Sequence, residues 1–227
     1  MTKQDLTPEN ETQQIVKLFE GLDTAGVSDA LDKIGIHGQA FGIMPLRDYS
    51  EVIVGPAFTV KYVSAATPAG TVGDYIDDVK AGDVLVIDNN GRTDCTVWGD
   101  ILTQYAGMHN IAGTVIDGVC RDVNKAITDN YPLFTVGRFM RTGKDRVEVA
   151  SVNATVSIGS VRVEAGDIVV ADANGVVIVP RQHARQVAKT AHEIESVEAA
   201  IRESIASGDS LRDAREKLGY HTLQRKQ

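Results

Sequence analysis

Residues 84–90 read VLVIDNN, four consecutive apolar residues followed by three polar ones. Such a run fits neither a helical stripe nor the alternation of a half-exposed strand. It predicts a strand buried on both faces, which needs a covering layer on each side. The stretch around it, Gly82 to Asp122, continues with a glycine-containing loop and a segment of helical texture from about Asp100 to His109. A second buried strand at Thr114–Ile116 follows, then Arg121-Asp122 on a loop. Strand, helix, strand in that order is α/β texture.

The rest of the chain is compatible with that class. Residues 1–13 are polar and expected to fray, and Ile15–Leu22 is expected to form a short helix. Val27–Leu31 starts another, with Ser28 or Asp29 as cap and Gly35 and Gly38 as its end. VIVGPAFTVKYV, from Val52, is β-branched and apolar with a bend at Gly55-Pro56. A helix is expected through Tyr75 to Val79, another over Asn124–Asp129 before Pro132, and a strand over Leu133–Val136. Residues 147–180 turn to all-β texture, and 181–206 to one long charged helix. SGDS at 207–210 breaks that helix, and Asp209 or Ser210 is placed to cap a last one through Lys217. One echo stands out: KAGDVLVIDNNG (80–91) and EAGDIVVADANG (164–175) share seven of twelve positions. Twelve residues speak for a local recipe, a Gly-Asp turn before a buried strand and an Asn-Gly turn after it, used twice.

Composition bounds the partners. The chain has 227 residues, 43% of them hydrophobic, which suits one large domain with an appended segment. Its formal charge of -8 argues against nucleic acid or an anionic membrane as partner. The two cysteines, Cys95 and Cys120, are too few for a disulfide framework, so reduced thiols and a cytoplasmic location are expected. The polar start MTKQDLTPENETQQ lacks the apolar core of a secretory signal, and no apolar run approaches the ~18 residues of a membrane helix.

Chemistry concentrates at the ends of the central elements. Asp100 at a helix start is open to two readings, a helix cap or part of an anion cradle made with the free N–H groups of the first turn. Arg121-Asp122 lies beyond a buried strand, where α/β sheets bind ligands. An Arg there can clamp a carboxylate, and an Asp can ligate a hard divalent cation; the bland alternative is an ion pair within the loop. The five histidines are scattered without ligand spacing, no hydrolase triad or phosphate-binding glycine loop is visible, and Trp98 reads as packing beside the site. Glu193, Glu195 and Glu198 read as a solvated helix face.

Asp100, twenty residues, then Arg121-Asp122, set inside GDVLVID, WGD and GTVIDGVCRD, resembles the RraA-like family. That family includes the 4-hydroxy-4-methyl-2-oxoglutarate / 4-carboxy-4-hydroxy-2-oxoadipate aldolases, the regulators of RNase E activity, and members formerly labelled demethylmenaquinone methyltransferases. The resemblance extends through VSDALDKIGI (27–36), VGPAFTVKY (54–62) and GDIVVADANGVVIVP (166–180). It implies an α/β fold of stacked β-sheets flanked by helices (a swivelling β/β/α domain). The domain would span 1–180, and a helical extension over 181–227 would pack on a neighbouring subunit of a homotrimer or homohexamer. It implies Asp122 as direct ligand of Mg²⁺ or Mn²⁺, Asp100 holding the metal through water, and Arg121 on the substrate's keto oxygen and carboxylate. Gly99 and Asp100 would open the cradle, with the N–H groups of Ile101 and Leu102 receiving the carboxylate. Glu195, with Glu198 second, would reach a neighbour's metal-bound water. The implied reaction is that of a metal-dependent pyruvate aldolase cleaving a 4-hydroxy-2-oxo acid, with oxaloacetate decarboxylation alongside. The alternative is a non-catalytic regulator that binds RNase E; the long tail favours the enzyme, and no methyl-donor loop is found.

Overall fold

In the computed structural model, which describes residues 8–220 and Leu223, the apolar run lies at the middle of an eight-stranded sheet. The helices are α1 (Pro8–Lys17), α2 (Thr24–Ile34), α3 (Asp100–Met108), α4 (Val123–Thr128), α5 (Ala184–Ala206) and α6 (Leu211–Lys217). The strands are β1 (Met44–Pro45), β2 (Ile53–Ser64), β3 (Val84–Thr96), β4 (Gly113–Cys120), β5 (Leu133–Arg138), β6 (Val147–Val152), β7 (Val156–Ile158), β8 (Val161–Val163), β9 (Ile168–Asp172) and β10 (Gly175–Val179). The sheet order is β1-β5-β4-β3-β2-β9-β10, with β6 also on β2, and β7-β8 form a separate ribbon. β2, β3, β4 and β5 are mutually parallel, and β9, β10, β6 and β1 join antiparallel. The expected mixed α/β architecture with flanking helices and a C-terminal helix is present.

Continuous apolar runs make this possible because each strand feeds two cores. Leu85 and Ile87 pack with Trp98 and Ala106 under α3, while Val84 and Val86 face a second core with Val115, Phe134, Val169 and Ile178. In the same way Ile168 and Val170 turn to a third core made with α1, α2 and α5. The segment before β1 closes the sheet on itself. Ala40 N–H donates to Val176 O at 3.0 Å and Ile178 N–H to Gly38 O at 2.7 Å. Met44 and Pro45 then pair with β5. The first half of α5 is built into the chain's own third core through Ala184, Val187, Ala188, Ala191 and Ile194.

Several boundaries differ from the expectation. The frayed start is overturned at residues 8–13, which belong to α1, whereas residues 1–7 lie outside the described residues. α1 stops at Lys17 instead of running to Leu22. α2 begins at Thr24, capped by Asp23, whose carboxylate accepts from Gly26 N–H at 2.8 Å; Ser28 and Asp29 lie inside the helix. Ser210 caps α6, as one of the two expected residues. The segment around Tyr75 is a 3-10 helix over Asp74–Asp78.

The internal echo has a shared physical basis. Gly82 and Gly166 both have positive φ, 85° and 89°. The aspartates after them accept from the N–H three residues back, Lys80 to Asp83 at 3.1 Å and Glu164 to Asp167 at 2.9 Å. At the far end Asn90 N–H donates to Asp88 at 2.9 Å and Asn174 N–H to Asp172 at 2.7 Å. The two strands run in opposite senses beside β2, so the likeness is one of turns.

Asp172 is buried and receives Thr24 N–H at 2.9 Å and Thr24 Oγ1–H at 2.7 Å besides Asn174, tying the β9–β10 hairpin to the start of α2. Its removal strands three donors. Asp172→Ala is expected to cost at least about 2 kcal/mol of unfolding free energy. Urea denaturation followed by circular dichroism reads this, and a loss under about 0.5 kcal/mol would refute the tie.

Candidate active site

The parallel pairing of β3 with β4 brings Trp98 and Arg121 together: Arg121 N–H donates to Trp98 O at 3.0 Å. A set of buried groups fixes this junction. Thr96 Oγ1 lies 2.9 Å from Trp98 O and 3.0 Å from Val119 O, and accepts from Trp98 N–H at 3.1 Å. The Trp98 indole N–H donates to Thr103 Oγ1 at 2.9 Å, and Thr103 Oγ1–H donates to Gly99 O at 3.0 Å. Trp98 also stacks on Tyr131, ring centroids 6.1 Å apart, so its expected packing role holds. The rim of the site is thus anchored in the core while its polar tips reach solvent.

α3 begins at Asp100 with Gly99 as N-cap, so Asp100 is the first helical residue and not the cap. Its Oδ1 accepts from Ile101 N–H at 2.9 Å, which engages one of the two expected cradle donors with the chain's own carboxylate. The Asp100 N–H points to Asp122 Oδ2, 3.4 Å away. Leu102 is half-buried, and its N–H belongs to the first helical turn, where donors lack intrahelical partners.

Asp122 stands at φ 54°, ψ 36°, in the left-handed region that a side chain seldom adopts. Although Asp122 precedes α4, its carboxylate caps nothing there. It turns instead toward α3, and Arg121 Nε lies 3.3 Å from its Oδ2, so the pairing within the loop does form. Both side chains are about 40% exposed, at 40% and 41%. Gly99 makes the approach possible: a Cβ there would sit 2.8 Å from Asp122 Oδ2.

Gly99, Asp100, Ile101, Leu102, Arg121 and Asp122 therefore come together around one pair of helix starts. Glu195 does not join them within the chain. It is ion-paired with Arg202 and borders a different cleft, with Phe19, Glu20, Asp23 and Glu51. Glu198 lies 3.7 Å from Arg202, and burial, then the nearby Asp29 and Glu195 carboxylates, raise its carboxyl above the usual range. Among the described residues no three His, Cys, Asp or Glu side chains gather into a metal cluster. The donor set at Asp122 and Asp100 still fits a hard cation, because Mg²⁺ is held by one or two carboxylates and keeps several waters. The Cβ-free space at Gly99, against Asp122 Oδ2, is consistent with such use. Cys120, one residue before Arg121, is buried, and burial pushes its thiol up to about 11, away from the thiolate form. Sequence reasoning did not find Thr96 and Thr103, which support the site; Thr103, four residues after Gly99, had the spacing of a hydroxyl bonding back into its own helix.

Comparison with known proteins identifies the family. The family model RraA-like, described as Aldolase/RraA, matches residues 24–178. The chain is 39% identical over 221 residues to Protein DlpA of Legionella pneumophila, covering 96% of this chain but 36% of that protein. It is 33% identical over 190 residues to a Halalkalibacterium halodurans protein named "Putative 4-hydroxy-4-methyl-2-oxoglutarate aldolase", covering 83% and 87%. Among solved structures, an uncharacterized protein from Pseudomonas syringae pv. tomato is similar at TM-score 0.83 and 44% identity, covering 89% and 97%. Streptomyces coelicolor RraAS2, described as an unusual member of the RNase ES inhibitor RraA protein family, is similar at TM-score 0.77 and 26% identity, covering 84% and 97%. The chain belongs to the RraA-like family.

Proposed function

We propose that this protein is a divalent-metal-dependent lyase of 2-oxo acids, cleaving a 4-hydroxy-2-oxo acid to pyruvate and decarboxylating oxaloacetate alongside. The observation that carries the reading is the convergence of Asp122 Oδ2, Arg121 Nε and the Asp100 N–H at the start of α3. When bound, Mg²⁺ or Mn²⁺ supplies Lewis acidity at the 2-oxo group. Asp122 would hold it directly and Asp100 through water. Arg121 donates to the keto oxygen and carboxylate of the substrate, and its charge stabilises the enolate that develops there. The N-terminal end of α3, with the Leu102 N–H, attracts the same carboxylate. Asp100, together with Glu195 of a neighbouring copy, receives the C4 hydroxyl proton through water. The C3–C4 bond then breaks, its electron pair passes into the pyruvate enolate, and C3 takes a proton. The active unit is accordingly a homotrimer or homohexamer, acting in the cytoplasm on small acids with no nucleic-acid partner. Among the described residues no helix is long and apolar enough to cross a membrane.

The rival reading, a non-catalytic regulator binding RNase E, draws on the likeness to the Streptomyces protein. It predicts binding to the RNase and no pyruvate release.

Pyruvate release from 4-hydroxy-4-methyl-2-oxoglutarate and from oxaloacetate, coupled to lactate dehydrogenase, tests the proposal. EDTA is expected to abolish it and Mg²⁺ to restore it, and Asp122→Ala is expected to lower kcat/KM at least about a thousandfold. Activity indifferent to chelation, or kept by the variant, would sink the metal-ligand assignment. Gly99→Ala tests the cradle separately. Its backbone is extended, at φ -149°, so no strain arises and the variant is expected to lose under about 1 kcal/mol of stability. The added methyl displaces the Asp122 carboxylate, and Mn²⁺ affinity by calorimetry is expected to fall at least about tenfold. Unchanged affinity would show that Gly99 leaves no room that matters.

A further inference from the structure

The segment joining β2 to the 3-10 helix, residues 65–73, has no hydrophobic anchor in its exposed part: Ala66, Thr67, Pro68, Ala69, Gly70 and Thr71 are all exposed. It is held instead by the start of β6. Ala65 N–H donates to Arg146 O at 3.0 Å, and Val149 N–H donates to Thr71 O at 3.1 Å. Between these two clips, one side chain spans the loop. Glu148 Oε2 accepts from Ala66 N–H at 3.0 Å and from Gly70 N–H at 2.8 Å. These donors, Ala66 first and Gly70 next, hold the Glu148 carboxyl below the usual range.

The downstream end of the segment meets the first turn of α3. A Cβ on Gly73 would lie 3.3 Å from Leu102 Cδ2, in the first turn of α3, and Val72 packs into the same core as Leu102 and Tyr105. The Tyr62 hydroxyl donates to Val72 O, fixing that end to β2. An interaction at Glu148 is therefore connected through a short, clipped segment to the first turn of α3, whose Leu102 N–H is the proposed donor to the substrate carboxylate.

We propose that Glu148 is a positioning residue, holding residues 65–73 against the first turn of α3 so that this segment forms one wall of the 2-oxo acid site. The inference rests on the lyase reading above. A charged acceptor shared by two backbone donors is among the stronger hydrogen-bonded arrangements, and its loss frees a loop made of small residues.

The test uses the full chain with Mg²⁺ and the variants Glu148→Ala and Glu148→Gln. Hydrogen exchange by NMR reads the Ala66 and Gly70 amides. Steady-state turnover of oxaloacetate reads KM and kcat, and calorimetry reads oxalate binding. In Glu148→Ala the two amides are expected to exchange at least about tenfold faster, with KM and the oxalate Kd raised about tenfold and kcat within about twofold. Glu148→Gln keeps an acceptor and is expected to restore all three readouts to within about threefold. Unchanged amide exchange in Glu148→Ala overturns the latch. Faster exchange with unchanged KM and oxalate Kd overturns the wall. A wild-type protein that binds oxalate but turns nothing over overturns the lyase reading alone, and the oxalate Kd then decides the inference. A wild-type protein that does neither overturns both.

Discussion

The parallel register of β3 against β4 is the constraint on which the site depends. Val84 to Asp88 pair in step with Gly113 to Asp117, and after shifts in register the pairing resumes at Arg92 with Gly118 and at Thr96 with Val119. Two helices then start from adjacent strand ends, α3 from Gly99 and α4 from Asp122. A parallel pair needs a crossover, and the crossover helix is what brings its own N-terminus beside the next strand's exit. A shift of one residue would exchange the strand's side chains between the two cores it feeds and separate Asp100 from Arg121-Asp122.

Within that frame, backbone geometry does more than charge. Asp122 lies in the left-handed region, and Gly99 lacks the Cβ that would exclude the Asp122 carboxylate. The result is a carboxylate presented to solvent beside a guanidinium and the positive end of a helix. A hard cation and a 2-oxo acid are both suited to such a place, one through oxygen ligation and the other through paired hydrogen bonds.

α5 has two halves with different duties. Its first half is core, and its second half carries Glu195 and Glu198 outward on a face bridged by Arg202. A helix anchored over several turns can hold a carboxylate at a fixed position away from its own chain's site. The proposed role of Glu195 at a neighbouring copy's site draws on this anchoring.

What the sequence determined was local. A run of four apolar residues ending in polar ones pointed to a two-faced strand, and Val84–Ile87 are fully buried. The Gly-Asp and Asn-Gly turns of the echo form through bonds two or three residues long, so the same letters make the same turn twice. Asp100, Arg121 and Asp122 were legible as candidates because they fall at element ends, where unpaired backbone groups and solvent meet. The tertiary structure alone decided the contacts between distant residues. Asp172 reaches Thr24 across 148 positions, and Glu148 reaches Ala66 and Gly70 across 82 and 78. It also decided that Asp100 engages Ile101 N–H and that Arg121 pairs with its own neighbour. Local pattern sets which backbone groups lack partners; only the packed chain sets which side chain comes near enough to supply one.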